Sequence, residues 1–310
     1  MSQPELVEHA ASEAAAEGFN AGEVIIEHVS NSSLAHPLIH LPTVFGINMS
    51  VTKHVLMLWL AAGIVFVFVT VAVRKYLRQE RLIPSGFMNA LELGVEFIRD
   101  SIVLPNVGSK WVKVWTPLLI TLFMFILTAN AIGLIPIFDV LSLVNHTVLH
   151  MPAESFFSRL LHGGTTSTAN FNVTAGLATV TFFSIIVAGS KAHGFGQYWK
   201  NQIPHGLPLP VTLFLIPIEI MGMFVRPFAL TMRLAANMTG GHIAILAILS
   251  FVFIFTELAA SATVGIGVGV ISVVLASLIS ALEIIVVLVQ AYVFTMLTAV
   301  FIGMAIHAHH

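Results

Sequence analysis

The chain has 310 residues, of which 57 % are hydrophobic and only 9 % are charged, and its mean hydropathy is +0.95. A soluble protein has about 25 % charged residues, so most of this surface must face lipid or other apolar protein. The net charge of −2 offers no attraction for a polyanion, and the absence of cysteine excludes disulfides and thiolate metal sites. The composition therefore predicts a membrane protein with no nucleic-acid partner.

The chain begins with a polar, acidic leader, residues 1–52, that contains no Lys or Arg. Its acidic residues are Glu5, Glu8, Glu13, Glu17, Glu23 and Glu27. This pattern fits neither a cleaved signal peptide nor an Arg-rich transit peptide. We interpret the leader as a separate extracytoplasmic segment.

Five apolar runs follow the leader. Three of them, 55–73, 115–138 and 172–190, are close to the roughly 20 residues that a helix needs to cross about 30 Å of hydrocarbon. The other two, 207–256 and 258–306, are much longer, and each would form a helix of about 70 Å. Each long run is therefore either two short spans or one long, strongly tilted helix.

The basic residues predict the orientation in the membrane. On one side lie Arg74, Lys75, Arg78, Arg81, Arg99, Lys110, Lys113, Lys191 and Lys200, whereas only Lys53 and Arg159 lie on the other. The positive-inside rule places the 74–113 segment and the 191–208 loop in the cytoplasm, and the leader and the 139–170 loop outside. If each long run crosses once, the C-terminal histidines are cytoplasmic.

The stretch 84–104 predicts an amphipathic helix on the cytoplasmic surface. Its apolar residues at helical spacing are Phe87, Met88, Leu91, Val95, Ile98 and Ile102, and Glu92, Glu96 and Arg99 point toward another face. We assign it, with the first three spans and the outer loop, to a segment 53–206. The segment 207–310 then contains the two long runs. No inverted internal repeat is evident, which weakens a secondary-transporter interpretation.

Ionisable residues inside the long runs are the main functional candidates, because a charge at the bilayer centre costs at least about 2.5–3.5 kcal/mol. They are Glu219, Arg226, Arg233, His242, Glu257 and Glu283. Glu219, Arg226 and Arg233 are seven residues apart and share one helical stripe, which Asn237 extends. Glu283 and Gln290 share a face in the same way, and we expect Glu257 to be solvated at a hairpin turn.

An alternative interpretation places Arg226 and Arg233 in a short outer loop, where they would have no role. The segment 226–242 argues against a loop, because Phe228-Ala-Leu-Thr-Met-Arg-Leu-Ala-Ala is a good helix former and only Gly240-Gly241 looks like a break. The run Gly265-Ile-Gly267-Val-Gly269 lacks the features of a dinucleotide loop and predicts close helix packing.

Two motifs resemble a known family. The first is Pro227-Phe-Ala-Leu-Thr-Met-Arg233-Leu-Ala-Ala-Asn237-Met-Thr-Gly240-Gly-His242, and the second is Gln290-Ala-Tyr-Val-Phe. Together they are similar to subunit a of the rotary, F-type ATP synthase membrane sector, over roughly residues 40–306. The resemblance implies an all-helical membrane protein with about five spans, in which the two long runs form a tilted hairpin.

The resemblance also implies partners and residue roles. The partners would be a ring of c subunits, the peripheral-stalk b subunits, the remainder of the ATP synthase and membrane lipid. The missing transit-peptide pattern favours a bacterial plasma membrane. Arg233 matches the essential arginine, with Asn237 as its neighbour and Gln290 opposite, where it would orient Arg233. Further matches are Arg226 at a basic position, Glu219 in the cytoplasmic half-channel, and His242 with Glu283 in the outer half-channel.

One motif departs from the family pattern. Many members have Asn-x-x-Asp in the second span, whereas this chain has Asn130-Ala-Ile-Gly133. An outer path that relies on that acid is in doubt, and Asn130 with Asn172 would supply the polar lining instead. The resemblance implies no ATP site, cofactor or metal, so the chain would not be catalytic alone. H⁺ is the expected coupling ion and Na⁺ the alternative.

Two rival functions come from other classes. In an ion-coupled carrier or channel, Arg233 and Glu219 would bind a solute. A third interpretation is a non-conducting scaffold. As alternatives for single residues, His242 and Glu283 would form only a buried ion pair, and Glu219 would only balance Arg226. No intramembrane-protease motif is present.

Overall fold

The computed structural model describes residues 20–29, 37–44, 46–78, 86–135, 166–202 and 208–307, together with the single positions 141, 145 and 155. Most of the acidic leader, most of the 139–170 loop and the last three residues lie outside the described residues. The expectations made for those parts therefore stay predictions.

Helices dominate the described chain. In chain order they are α1 (Ala21–Val29), α2 (Lys53–Leu77), α3 (Phe87–Glu96), a π-helical segment (Phe97–Val103), α4 (Leu104–Val107), α5 (Val112–Leu134), a 3-10 turn (Ser167–Ala169), α6 (Phe171–His193), α7 (Phe195–Asn201), α8 (Leu209–Leu258) and α9 (Ala262–Ile306). Between α1 and α2, strands β1 (Thr43–Val44) and β2 (Ile47–Asn48) form a short antiparallel pair around Gly46, whose φ is +79°.

Five of the described helices are long and apolar enough to cross a membrane, namely α2, α5, α6, α8 and α9. The all-helical fold with about five spans is confirmed, and the two-residue strands and an isolated bridge between Ile39 and Val51 are small additions to it in the described part. Each long run is one helix, of 50 residues in α8 and 45 in α9. At about 1.5 Å per residue both are about twice as long as the hydrocarbon layer is thick, so a single crossing requires tilt.

The loop alternative for Arg226 and Arg233 is wrong, because α8 is continuous from Leu209 to Leu258. Gly240-Gly241 is not a break either, since both residues lie inside this helix. Pro217 and Pro227 are also inside it. Proline within a helix is tolerated in membrane proteins because neighbouring helices and polar side chains can satisfy the freed backbone groups.

Helices α5, α6, α8 and α9 surround one apolar core. Its buried residues are Leu122 and Ile126 from α5, Ala178 from α6, Leu230 and Leu234 from α8, and Ala291 and Phe294 from α9.

Consecutive long helices run in opposite directions. We call the end of the bundle where α5 ends and α6 begins the upper end, and the opposite end the lower end. At the lower end, the His193 ring nitrogen Nε2 lies 2.8 Å from the Ile306 carbonyl oxygen and ties α6 to α9.

The 84–104 helix is amphipathic as predicted, but it is not only a surface helix. Its predicted apolar residues Ile98 and Ile102 are each 1 % exposed and pack in a second core with α5, α6, α7 and α9. Glu96 and Arg99 are exposed on the other face. The π-helical segment Phe97–Val103 widens the helix at this point. The helix packs against the lower end of the bundle.

Close helix packing at the glycine run is confirmed. Gly265 is buried, and a β-carbon there would overlap the Thr256 side chain of α8, while one at Gly269 would lie 3.7 Å from Val252. Helices α8 and α9 therefore approach closely near their upper turn. Glu257 is exposed beside this turn, in agreement with its expected position.

Candidate functional site

Arg233 lies at the midpoint of α8, on the face that the rest of the chain leaves open. Its neighbours Leu230 and Leu234 are 2 % and 0 % exposed and hold the adjacent side of the helix in the core, whereas Arg233 is exposed. Within the described part of the chain, its guanidinium makes no hydrogen bond or ion pair. A permanent cation therefore projects from the middle of a helix long enough to cross the membrane.

Asn237 and Gln290 join α8 to α9 one turn above Arg233. The Asn237 Nδ2 donates a hydrogen bond of 2.9 Å to the Gln290 Oε1, and Gln290 is 3 % exposed. The expected hydrogen bond between Gln290 and Arg233 is not found in the described part. Gln290 accepts a hydrogen bond from Asn237 instead. The two amides fix the spacing of the hairpin next to the arginine.

Glu219 and Arg226 lie below Arg233 on the stripe that the sevenfold spacing predicts. The Arg226 Nη2 is 3.8 Å from the Glu219 Oε1, and the two side chains are 29 % and 41 % exposed. The Arg226 guanidinium carbon also lies 5.8 Å from the Phe301 ring centre of α9. The contact is long and both side chains are partly exposed. Glu219 therefore lies near Arg226 and remains accessible to other groups.

Tyr198 of α7, a residue that no sequence motif marks, belongs to this lower region. Burial raises the pKa of its phenol, with the Arg226 charge opposing and the Glu219 charge reinforcing the effect. The ring is 1 % exposed and fits over Gly189, where a β-carbon would overlap it. A neutral phenol thus lies within electrostatic range of the Glu219–Arg226 pair.

Glu283 and His242 both lie above Arg233. Glu283 is 8 % exposed, and its carboxyl lies directly over Gly241, where a β-carbon would overlap it. His242 is the next residue on α8, and its Nε2 is 2.8 Å from the Thr166 Oγ1. Gly241, which belongs to the pair that looks like a break in the sequence, therefore makes room for the carboxyl.

The second-span motif leads to the same upper region. Asn130 is fully buried, and its Oδ1 accepts a 2.6 Å hydrogen bond from the Thr168 Oγ1. Gly133, which stands where many members of the resembled family have an acid, lies against Thr166. Asn172 is exposed at the start of α6, so the structure brings Asn130 but not Asn172 into this polar region.

Positions along α8 separate the two groups of ionisable side chains. At about 1.5 Å per residue, Glu219 lies about 21 Å below Arg233 and His242 lies about 13 Å above it. Arg233 thus stands between a lower and an upper polar region.

Comparison with known proteins identifies the family. Residues 55–303 match the family model described as ATP synthase A chain. The chain belongs to the ATP synthase subunit a family. It is 40 % identical over 295 residues to ATP synthase subunit a 2 of Chlorobium luteolum, with 92 % of this chain and 76 % of the relative covered. The resemblance inferred from the Arg233 and Gln290 motifs is confirmed.

Other relatives agree over nearly the whole chain. ATP synthase subunit a 2 of Prosthecochloris aestuarii is 38 % identical over 306 residues, which cover 96 % of this chain and 84 % of that one. ATP synthase subunit a of Chlorobium phaeobacteroides is 38 % identical over 298 residues, which cover 94 % and 77 %. Every site residue named above lies inside the 55–303 match to the subunit a family.

Sequence reasoning missed Thr166, Ser167, Gly241 and Tyr198 in this member of the subunit a family. A signal for the first two exists in the polar run Thr165-Thr166-Ser167-Thr168, which precedes an apolar span. Nothing comparable marks Tyr198, which fits over Gly189 and belongs to a core that also includes Ile98 and Ala299. In the described ranges, no group of three or more His, Asp or Glu side chains could hold a metal ion.

Proposed function

We propose that the chain is the proton-conducting stator subunit of an F-type ATP synthase, and that it couples proton flow to rotation of a c-subunit ring and to ATP synthesis. The observation that carries this proposal is Arg233, an exposed cation at the centre of a membrane-length helix. A charge in that position costs at least about 2.5–3.5 kcal/mol in lipid. A counter-charge on another chain would offset this cost, as a carboxylate of the ring would do.

The arginine would act as a gate. Guanidinium keeps its proton in proteins, so Arg233 does not itself conduct. At about 4 Å and an effective dielectric constant near 20, it would favour an ionised ring carboxylate by roughly 4 kcal/mol. A protonated carboxyl that reaches Arg233 would therefore release its proton before passing. The same charge would keep protons from crossing directly between the upper and lower regions.

The two polar regions would serve as offset half-channels. In the upper region, His242 and Glu283 are titratable and would relay protons to the ring. In the lower region, Glu219, which lies 3.8 Å from Arg226, would accept the released proton. Asn237 and Gln290 would hold the hairpin at the spacing that the ring requires. Each proton that falls through about 100 mV would supply roughly 2.3 kcal/mol to bias the rotation.

The basic residues support an orientation in which the lower end is cytoplasmic. Arg74 and Lys75 lie in the last turn of α2 and Lys191 in the last turn of α6, and both turns are at this end. The leader and the upper region would then face outside, and the C-terminus would be in the cytoplasm. We propose a bacterial plasma-membrane location, with the peripheral-stalk b subunits and the rest of the ATP synthase as further partners and no catalytic activity of the chain alone.

Substitution of Arg233 tests the proposal. We expect Arg233→Ala in the complete ATP synthase to abolish ATP-driven proton pumping into vesicles, while ATP hydrolysis by the detached soluble sector survives. Arg74→Ala, which removes an exposed arginine from the end of α2, is the matched control and should pump normally. The chain should also copurify with an oligomeric two-helix proteolipid.

Two outcomes would contradict the proposal. Full proton pumping by Arg233→Ala would show that Arg233 does not act as a gate. Solute uptake by vesicles that contain only this chain would support the carrier, with Arg233 and Glu219 as its binding residues.

A further inference from the structure

Thr166 fills a space that only glycine leaves open. Its side chain is 2 % exposed and lies between Gly133 of α5 and His242 of α8. A β-carbon at Gly133 would overlap the threonine hydroxyl, which is 2.8 Å from the His242 Nε2. The absence of a side chain at position 133 thus leaves the space that the hydroxyl at position 166 occupies.

Buried polar atoms surround this arrangement. Thr168 is fully buried and donates its hydroxyl to the Asn130 Oδ1 at 2.6 Å. The Asn130 Nδ2 and the Ser167 Oγ are buried and have no hydrogen-bond partner in the part of the chain that the structure describes. A buried polar group without a partner costs about 1–3 kcal/mol, and ordered water is the usual partner at such places.

The surrounding helices fix the position of the segment. Ser167–Ala169 forms a 3-10 turn that contacts α2, α5, α6 and α8. The Thr239 Oγ1 of α8 lies 3.4 Å from the Ala169 carbonyl oxygen and links the turn to the helix that bears His242. Thr166 therefore keeps its position relative to both Gly133 and His242.

We propose that Thr166 is a positioning residue that connects His242 to a water-binding pocket formed by Asn130, Ser167 and Thr168. The inference rests on the proposed function, since it assigns the pocket to the entry side of the upper half-channel. A hydroxyl can accept a hydrogen bond from pocket water and donate to the imidazole at the same time. When it gives its proton to an unprotonated Nε2 and receives one from a protonated water of the pocket, the threonine is unchanged, the water returns to its neutral form and the excess proton has moved to His242.

Three substitutions in the complete ATP synthase test the role of the hydroxyl. Thr166→Val keeps the shape and removes the hydroxyl, and we expect about tenfold lower proton flux per assembled complex. Thr166→Ser should recover most of the flux, because it restores the hydroxyl. Thr174→Val is the matched control: Thr174 is fully buried on α6 and its hydroxyl bonds to the Phe171 carbonyl oxygen, so its loss should leave the flux unchanged.

Glycine substitutions test the same space from the other side. Gly133→Ala should lower the flux as Thr166→Val does, because the added carbon displaces the hydroxyl. Gly176→Ala on α6, where a β-carbon meets nothing within 4 Å, is the control. In a Thr166→Gly background, Gly133→Ala should cause no further loss, because all the Thr166 side-chain atoms that the added carbon would overlap are then absent.

The outcomes separate this inference from the proposed function. Normal flux in Thr166→Val, with pumping abolished in Arg233→Ala, would overturn only the role of Thr166. An equal loss in Thr166→Ser and Thr166→Val would also overturn it, since packing rather than the hydroxyl would then matter. Normal pumping in Arg233→Ala would contradict the proposed function itself. Gel quantification of the chain in each purified complex separates lost flux from lost assembly.

Discussion

The upper and lower polar regions of the α8–α9 hairpin are built in different ways. In the upper region, Glu283 is 8 % exposed against Gly241, and His242 is held by Thr166 at 2.8 Å. In the lower region, Glu219 is 41 % exposed and its contact with Arg226 spans 3.8 Å. The first region depends on close packing, whereas the second is a loose, accessible ion pair.

This contrast has consequences for how each region can be damaged. A buried carboxyl has few alternative partners, so a change of its chemistry or of the space around it acts directly. A partly exposed pair whose atoms are 3.8 Å apart gains little from its contact. The upper region should therefore be sensitive to both chemistry and shape, and the lower one mainly to charge and only moderately.

Glu283→Gln should have the largest effect among substitutions in the two polar regions. The substitution keeps the volume and the polarity but removes the titratable group, and we expect proton flux to fall by more than about tenfold. The measurement is ATP-driven acidification of vesicles that contain the purified complex. Glu257→Gln, the same change at an exposed position of the same hairpin, is the control. Undiminished flux in Glu283→Gln would defeat the assignment of the upper half-channel.

Gly241→Ala tests whether the shape of the upper region matters. The added β-carbon would overlap the Glu283 carboxyl and displace it, and we expect a loss of flux of about threefold to tenfold with normal assembly. Gly240→Ala provides an adjacent control, because its β-carbon meets nothing within 4 Å. If both variants lose flux equally, helix propensity and not the space for Glu283 accounts for the effect.

Glu219→Gln should have the smallest effect. Glu219 is 41 % exposed and its contact with Arg226 spans 3.8 Å, so the substitution breaks no close contact and we expect a decrease in flux of about twofold to threefold. The rate of ATP synthesis driven by an imposed proton gradient measures it. A loss as large as that of Glu283→Gln would abolish the proposed contrast between the two regions.

Much of the site could be predicted from the order of residues alone. The spacing of seven that joins Glu219, Arg226 and Arg233 is a local property of a helix, and α8 reproduces it. The family motifs around Arg233 and Gln290 can also be recognised from the amino-acid sequence alone. The partner of Gln290 was not predictable, because the hydrogen bond to Asn237 joins residues that are 53 positions apart.

The least predictable part is the space around the polar groups. In the sequence, Gly133 stands where the family motif has a polar residue. In the fold, it leaves space for Thr166 beside His242. Gly241 looks like a helix break and instead accommodates Glu283. Glycine carries no side chain that could indicate its neighbour, so its role emerges only when another helix packs against it.

Hydropathy, helical period and motif were enough to establish a membrane protein with two very long C-terminal helices and an arginine stripe, because each depends on residues close together along the chain. The open face around Arg233, the loose Glu219–Arg226 contact and the Thr166–His242 link depend on how α5, α6, α8 and α9 pack. In lipid, where apolar surface does not favour one helix pairing over another, small residues and buried hydrogen bonds set that packing.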